Sequence, residues 1–200
     1  MKTAADFTSP PSDYHVIVPD GWFQLLLDPD ERDRGIVALA DRQFRGVDNA
    51  PHLKKELMRG LQRKAKDAYA VGGMELYLST IVLGPLPLAS SLLISMPAPD
   101  AMPSCSNAEE LAGLLADRPS ADVTVRELEA AGWAVRRRGE EAADPAAQMG
   151  NTLTTTTLVY YVPIPATTRW LVLNFSTPME SLADRMVELF DTVAGTLYWE

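Results

Sequence analysis

The C-terminal third of the chain, Thr152 to Trp199, does most to constrain its fold. Leu153 to Val162 and Trp170 to Phe175 are two apolar runs joined by Pro163-Ile164-Pro165-Ala166-Thr167-Thr168. Their β-branched and aromatic content predicts a hairpin, and threonines 154–157 suit a pleated surface. Thr177-Pro178-Met179-Glu180 follows at once, placing a cap, an N1 proline and an N3 glutamate together. The spacing predicts a helix over 178–195, with Leu182, Met186, Leu189, Phe190, Val193 and Leu197 on one stripe. Apolar strands running directly into an amphipathic helix call for a sheet with that helix packed on it.

The upstream segments extend the same plan. Tyr14 to Val18 and Trp22 to Leu27 flank Val18-Pro19-Asp20-Gly21, which reads as a turn and predicts an opening hairpin. Asp28-Pro29-Asp30-Glu31 starts a helix carrying Ile36, Ala40, Phe44 and Val47, which Gly46 to Pro51 interrupts. A second helix is expected from His52 to about Tyr69, with Leu53, Leu57, Leu61 and Ala65 on one stripe. Met74 to Val82 and Ser90 to Met96 read as strands around Gly84-Pro85-Leu86-Pro87. Asn107 and Glu110 cap a short helix, Ala108 to Ala116, which Pro119 stops. Val123 to Glu129 and Trp133 to Glu140 are strands about Ala130-Ala131-Gly132, a register that sets Glu127 opposite Val135. Glu140 to Asn151 is small and polar and reads as a flexible excursion. Strands joined by short turns are antiparallel. The expected class is therefore α+β, a mainly antiparallel sheet flanked by helices. Residues 1–13 form a flexible tail and residues 14–200 a single domain.

Composition narrows the function classes. A chain of 200 residues can bury one core without staples. Its single cysteine excludes an internal disulfide and a multi-cysteine zinc site. The formal net charge of −9 opposes generic nucleic-acid binding. That charge is uneven: residues 1–70 hold 11 acidic and 11 basic side chains, whereas residues 71–200 hold 16 and 7. The N-terminal part should present the less negative face. No apolar run nears the roughly 20 residues that span a bilayer, and residues 1–14 lack a signal-peptide pattern. A cytoplasmic location is expected. Abundant alanine and the excess of arginine over lysine suggest a GC-rich bacterial genome.

Several of these segments resemble a known family. The Val-Pro-Asp-Gly-Trp opening, Ala-Gly-Trp-Ala-Val-Arg at 131–136, and Tyr161-Val162-Pro163-Ile164-Pro165 followed by Trp170 to Pro178 are similar to the PsbP-like α/β/α sandwich. Actinobacterial LpqN-type proteins, the photosystem II extrinsic subunit and a Ran-binding nuclear import factor share that fold. The resemblance implies a platform for protein–protein contact, with no functional residue carried over.

No stretch supplies a nucleophile elbow, a phosphate-binding loop or a His-Glu-x-x-His pattern, and no metal or cofactor is implied. His15 and His52 are the two histidines, one in a strand and one at a helix start. Cys105 precedes a helix, where a thiol pKa can fall. Glu127 and Glu129 stand two residues apart beside Arg136, Arg137 and Arg138, which reads as a solvated, ion-paired face. Asn174-Phe175-Ser176 matches a glycosylation pattern but lies within a strand. The four tryptophans read as core or rim anchors. Lys54, Lys55, Arg59, Arg63 and Lys66 cluster on the second helix and form the candidate partner-binding surface. The expected function is a non-catalytic protein-interaction module: an adaptor, a chaperone-like factor or an assembly factor. Two alternatives are an enzyme or small-ligand binder using Glu127, Glu129 or His15 in a pocket, and a peripheral binder of anionic membranes. The partner is another protein; nucleic acid and integral membrane association are not expected.

Overall fold

A computed structural model describes residues 4–46, 51–84, 86–105, 107–116, 122–143 and 153–200. In chain order the elements are β1 (Tyr14–His15), β2 (Trp22–Leu26), α1 (Pro29–Gln43), α2 (Pro51–Ala70), β3 (Gly73–Ser79), β4 (Val82–Leu83), β5 (Leu86–Pro87), β6 (Ser91–Ser95), α3 (Ala108–Ala116), β7 (Asp122–Leu128), β8 (Gly132–Glu141), β9 (Thr155–Pro163), β10 (Trp170–Thr177), α4 (Ala183–Gly195) and β11 (Tyr198–Trp199). Seven strands form one sheet in the order β2-β3-β6-β10-β9-β8-β7, with every neighbouring pair antiparallel. The α+β class follows from this sheet and its flanking helices.

Alternation along each strand divides the sheet into two faces. The first face holds Leu158, Tyr160, Val162, Leu171, Leu173 and Phe175, and α4 packs on it through Met186, Val187, Phe190 and Val193. Phe190 stacks on Phe175 with centroids 5.0 Å apart and meets Trp22 edge-on at 6.5 Å. The second face is covered at its two ends. Leu25, Leu27, Ile36 and Ala65 join α1 and α2 to the β2–β3 end. Leu111, Leu115, Val135 and Trp170 seat α3 at the β7–β8 end. Glycine is required where β3 begins. Gly72 has φ +90°, and a Cβ there would stand 2.4 Å from the Met96 carbonyl oxygen.

Several local expectations hold. Asp28 caps α1 by accepting from Asp30 N at 2.9 Å, and Asn107 caps α3 by accepting from Glu110 N at 2.9 Å. The β9–β10 hairpin pairs from Trp170↔Pro163 to Thr177↔Thr156. Other expectations are corrected.

The opening hairpin does not form. Its turn is present, with Trp22 N donating to Pro19 O at 3.3 Å, yet Tyr14 and His15 pair with Trp199 and Tyr198. The competing strand brings Trp199 into the core, 4 % exposed, with its indole N–H donating to Ala131 O at 3.2 Å. Burial of a large aromatic outweighs the local turn preference.

The last helix also starts late. Thr177 stays in β10, its hydroxyl donating to Ala89 O at 2.8 Å and accepting from Met179 N at 3.2 Å. The chain then turns through a 3₁₀ segment, Glu180–Leu182, before α4.

In the β7–β8 hairpin, the turn takes Glu129, Ala130 and Ala131, so Glu127 faces Trp133 and Val125 faces Val135. Gly132, with φ +89°, can open β8, and both turn alanines are buried. On α2 the packed stripe is Met58, Leu61, Ala65 and Ala68, and Leu53 is 48 % exposed. Ala4 and Phe7 pack against the main core, and Ser12 N donates to Glu200 O at 2.7 Å, so this part of the expected tail touches the body. Most of the expected excursion at 140–151 lies outside the described residues, as do Val47 and Pro119.

Phe190 is fully buried where α4 meets the sheet. Phe190→Ala should destabilise the protein by about 3–5 kcal/mol, read from the midpoint of urea unfolding.

Candidate functional site

The residues expected to meet a partner lie on α2. With 3.6 residues per turn, Lys55, Arg59, Arg63 and Lys66 fall on one stripe beside the packed face, and all four are exposed. The stripe is about 16 Å long at 1.5 Å per residue. Glu56 and Asp67 border it. Among the described residues, no carboxylate pairs with any of these four cations. Lys54 differs: it sits at the α1 side and is ion-paired with Asp41. The packing of α1 and α2 thus anchors one of the five basic residues and leaves four facing solvent.

The run Arg136-Arg137-Arg138 does not neutralise Glu127 and Glu129. Arg136 is 7 % exposed and grips Asp191 of α4, its Nε donating to Oδ1 at 2.7 Å and its Nη2 to Oδ2 at 3.0 Å. The Tyr160 hydroxyl donates to the same Oδ1 at 2.6 Å, and Arg126 lies 3.7 Å from Oδ2. Burial alone would raise the Asp191 carboxyl. The hydrogen bonds from Arg136 and Tyr160, with the nearby guanidinium charges, outweigh it and hold the carboxyl below its ordinary value. Burial, and then the hydrogen bond to Asp191, push the Tyr160 phenol up to about 12. Arg138 reaches Asp184 at 2.7 Å. The composition of this cluster is visible in the sequence, but its contacts span 31 and 55 residues and no local pattern signals them.

A second polar group sits at the β2–β3 end. The Glu75 carboxylate accepts from Tyr77 at 2.6 Å, from Tyr14 at 3.0 Å and from Gln24 at 3.0 Å. Burial raises both phenols, and Glu75 raises them further. Both tyrosines stay neutral donors and fix the start of the chain to β3.

The groups proposed for acid–base work are not brought together. His15 stacks on Tyr198 at 4.9 Å and bonds Glu200 at 2.8 Å. Glu127 lies on edge strand β7 and Glu129 in the adjoining turn, both exposed. His52 is exposed on the first turn of α2. Cys105 lines a cavity of ≈ 320 Å³ with Met102, Pro103 and Trp170, and its thiol donates to Pro103 O at 3.3 Å. Burial, and then Glu110, push that thiol up, opposite to the helix-terminus expectation. Among the described residues, no group of three or more His, Cys, Asp or Glu side chains could hold a metal ion. Nor is any described helix long and apolar enough to cross a membrane. Trp22, Trp170 and Trp199 are core residues, whereas Trp133 is 54 % exposed.

Comparison with protein-family profiles and with curated proteins gives no match. Solved structures similar to this chain include three of low identity. LpqN, involved in cell envelope biogenesis of Mycobacterium tuberculosis, is 13 % identical over 96 % of this chain and 86 % of that one, with a TM-score of 0.45. Cyanobacterial PsbP (CyanoP) from Synechocystis sp. PCC 6803 is 14 % identical over 94 % and 86 %, with a TM-score of 0.43. The Saccharomyces cerevisiae Ran-binding protein Mog1p is 9 % identical over 93 % and 89 %, with a TM-score of 0.45. These neighbours include the proteins of the PsbP-like resemblance. At such identities no residue role passes from them to this chain, and the architecture stands on its own strand order and helix placement.

Two pH responses follow from the buried groups. A depressed Asp191 carboxyl contributes stability above the ordinary aspartate value, near 3.9, that is lost as pH falls through its lowered folded value. Asp191→Asn should cost about 2–3 kcal/mol at pH 7, and the gap to the wild-type protein should narrow below about pH 4 in circular-dichroism melts. A raised tyrosine works in the opposite direction, contributing stability below about pH 10 that is lost as pH rises. For Tyr160 the window closes at about 12. Absorbance at 295 nm should show Tyr160, Tyr14 and Tyr77 ionising later than exposed tyrosines.

Proposed function

We propose that this chain is a non-catalytic protein-interaction module that docks an acidic partner protein along α2. Lys55, Arg59, Arg63 and Lys66 form the contact stripe, and Lys54, held by Asp41, sets its border. One observation carries the reading: four exposed cations at helical spacing, without carboxylate partners among the described residues, on a protein of net charge −9. The remaining charge of such a protein repels acidic partners in general, so a local basic stripe selects where and how one can approach. An adaptor, chaperone-like or assembly role in the cytoplasm accords with this surface. The separation of His15 from Glu127 and Glu129 removes the motivation for the acid–base alternative.

The double variant Arg59→Glu/Arg63→Glu tests the proposal. Both sites are exposed, so stability should change by less than about 1 kcal/mol. A stoichiometric partner captured by the wild-type chain from native lysate should have an acidic surface and bind the variant at least about tenfold more weakly, with affinity falling as salt rises. A captured partner indifferent to the reversal, or no partner at all, overturns the reading. Charge-sensitive sedimentation with anionic vesicles in place of protein capture would favour a membrane surface instead.

A further inference from the structure

The sheet ends at β7 with an open edge. β7 runs seven residues, Asp122–Leu128, pairs with β8 in one register without a bulge, and carries neither proline nor glycine. Among the described residues, no backbone group of 122–127 bonds outside the β7–β8 pair. A strand edge of this length is a template for another strand, and proteins ordinarily shorten, bulge or cover it. The opposite edge is treated in that way: β2 has five residues and passes through Leu27 and Asp28 straight into α1.

Alternation gives this edge two different rims. Asp122, Thr124 and Arg126 stand on the α4 side and are exposed; Arg126 lies 3.7 Å from Asp191 and Asp122 lies 3.7 Å from Arg136. Val123 and Val125 stand on the α3 side, half-buried against its cluster. A second copy that extends the sheet antiparallel, with both faces kept aligned, must cross β7 about a single residue. Crossing at Arg126 sets that guanidinium against its own copy. Crossing at Val125 sets Asp122 against Leu128 and Val123 against Glu127. Crossing at Thr124 sets Asp122 against Arg126 twice, and Val123 against Val125 twice. Of the three, the last alone matches opposite charges on one face and apolar residues on the other.

We propose that two copies of this chain pair through β7, crossing at Thr124 and joining two seven-stranded sheets into one. The two-fold crossing repeats every contact, so each attractive pair counts twice. The two α3 helices come to lie on the same face beside the joint, and α3 carries Leu114, 50 % exposed. β7 and α2 belong to opposite ends of the sheet, so pairing is independent of what α2 binds. It leaves the two α2 stripes at the outer ends and makes that surface bivalent without covering it.

Sedimentation velocity of the full chain, from about 1 to about 300 µM, tests the pairing, and a reversible monomer–dimer equilibrium is expected in that range. Asp122→Arg and Arg126→Asp each turn the two attractive contacts into repulsive ones and should weaken self-association at least about tenfold. Both sites are exposed, so Tm should stay within about 3 °C of the wild-type value. An equimolar mixture of the two variants sets opposite charges against each other again. It should form a heterodimer with about the wild-type affinity, as should the double variant Asp122→Arg/Arg126→Asp with itself. A wild-type chain that stays monomeric across the range overturns the proposal. So does a dimer that the single variants leave unaltered, or a wild-type dimer that neither the mixture nor the double variant restores.

Discussion

The β9–β10 hairpin has to be covered on both faces, and the remaining architecture answers that demand. On the α4 side every residue of the two strands is buried; on the other side Thr157, Val159, Trp170 and Val172 are buried and the rest are partly covered. α4 seals one side through Phe190 and Met186, while paired strands extend the sheet in both directions. The helical layer on the other side is split, because α1 and α2 serve one end and α3 the other. An apolar surface pleated in two directions cannot stand alone in water, so these layers form together or not at all.

A period of two turns one run of like charges into three different environments. Arg136 is drawn under α4 and fixes its angle through Asp191 and Tyr160. Arg138, on the same side, reaches the rim at Asp184. Arg137, between them, is turned to the opposite face. Counted as composition, the three are interchangeable; placed on a pleat, they anchor a helix, decorate an edge and face the other layer.

The elements legible in the sequence were those whose signals are local and strong. The Asp28 and Asn107 caps, the β9–β10 hairpin and the amphipathic stripe of α4 all rest on neighbours within a few residues. Expectations failed where a distant segment competed. Tyr14 and His15 left their nearest turn for the last strand, and Thr177 was kept in the sheet by Ala89. The β7–β8 turn sits one residue earlier than expected, which shifts the pairing by two residues and exchanges Val135 for Trp133 opposite Glu127. The basic residues of α2 could be placed from spacing alone, but the tether of Lys54 to Asp41 depends on how two helices pack. The Asp191 cluster was illegible because it joins residues that only the strand order brings side by side.

The pairing of β1 with β11 has a consequence for synthesis. Residue 14 meets residue 199, so the two partners lie far apart along the chain. On a ribosome the first strand emerges long before its mate exists, and it must wait with unpaired backbone groups until residues 198 and 199 have emerged. Closing so long a loop is slow, and exposed strand edges attract other chains in the meantime. A two-residue contact keeps that hazard small, because Tyr14–His15 offers little template for mispairing while the larger sheet assembles without it.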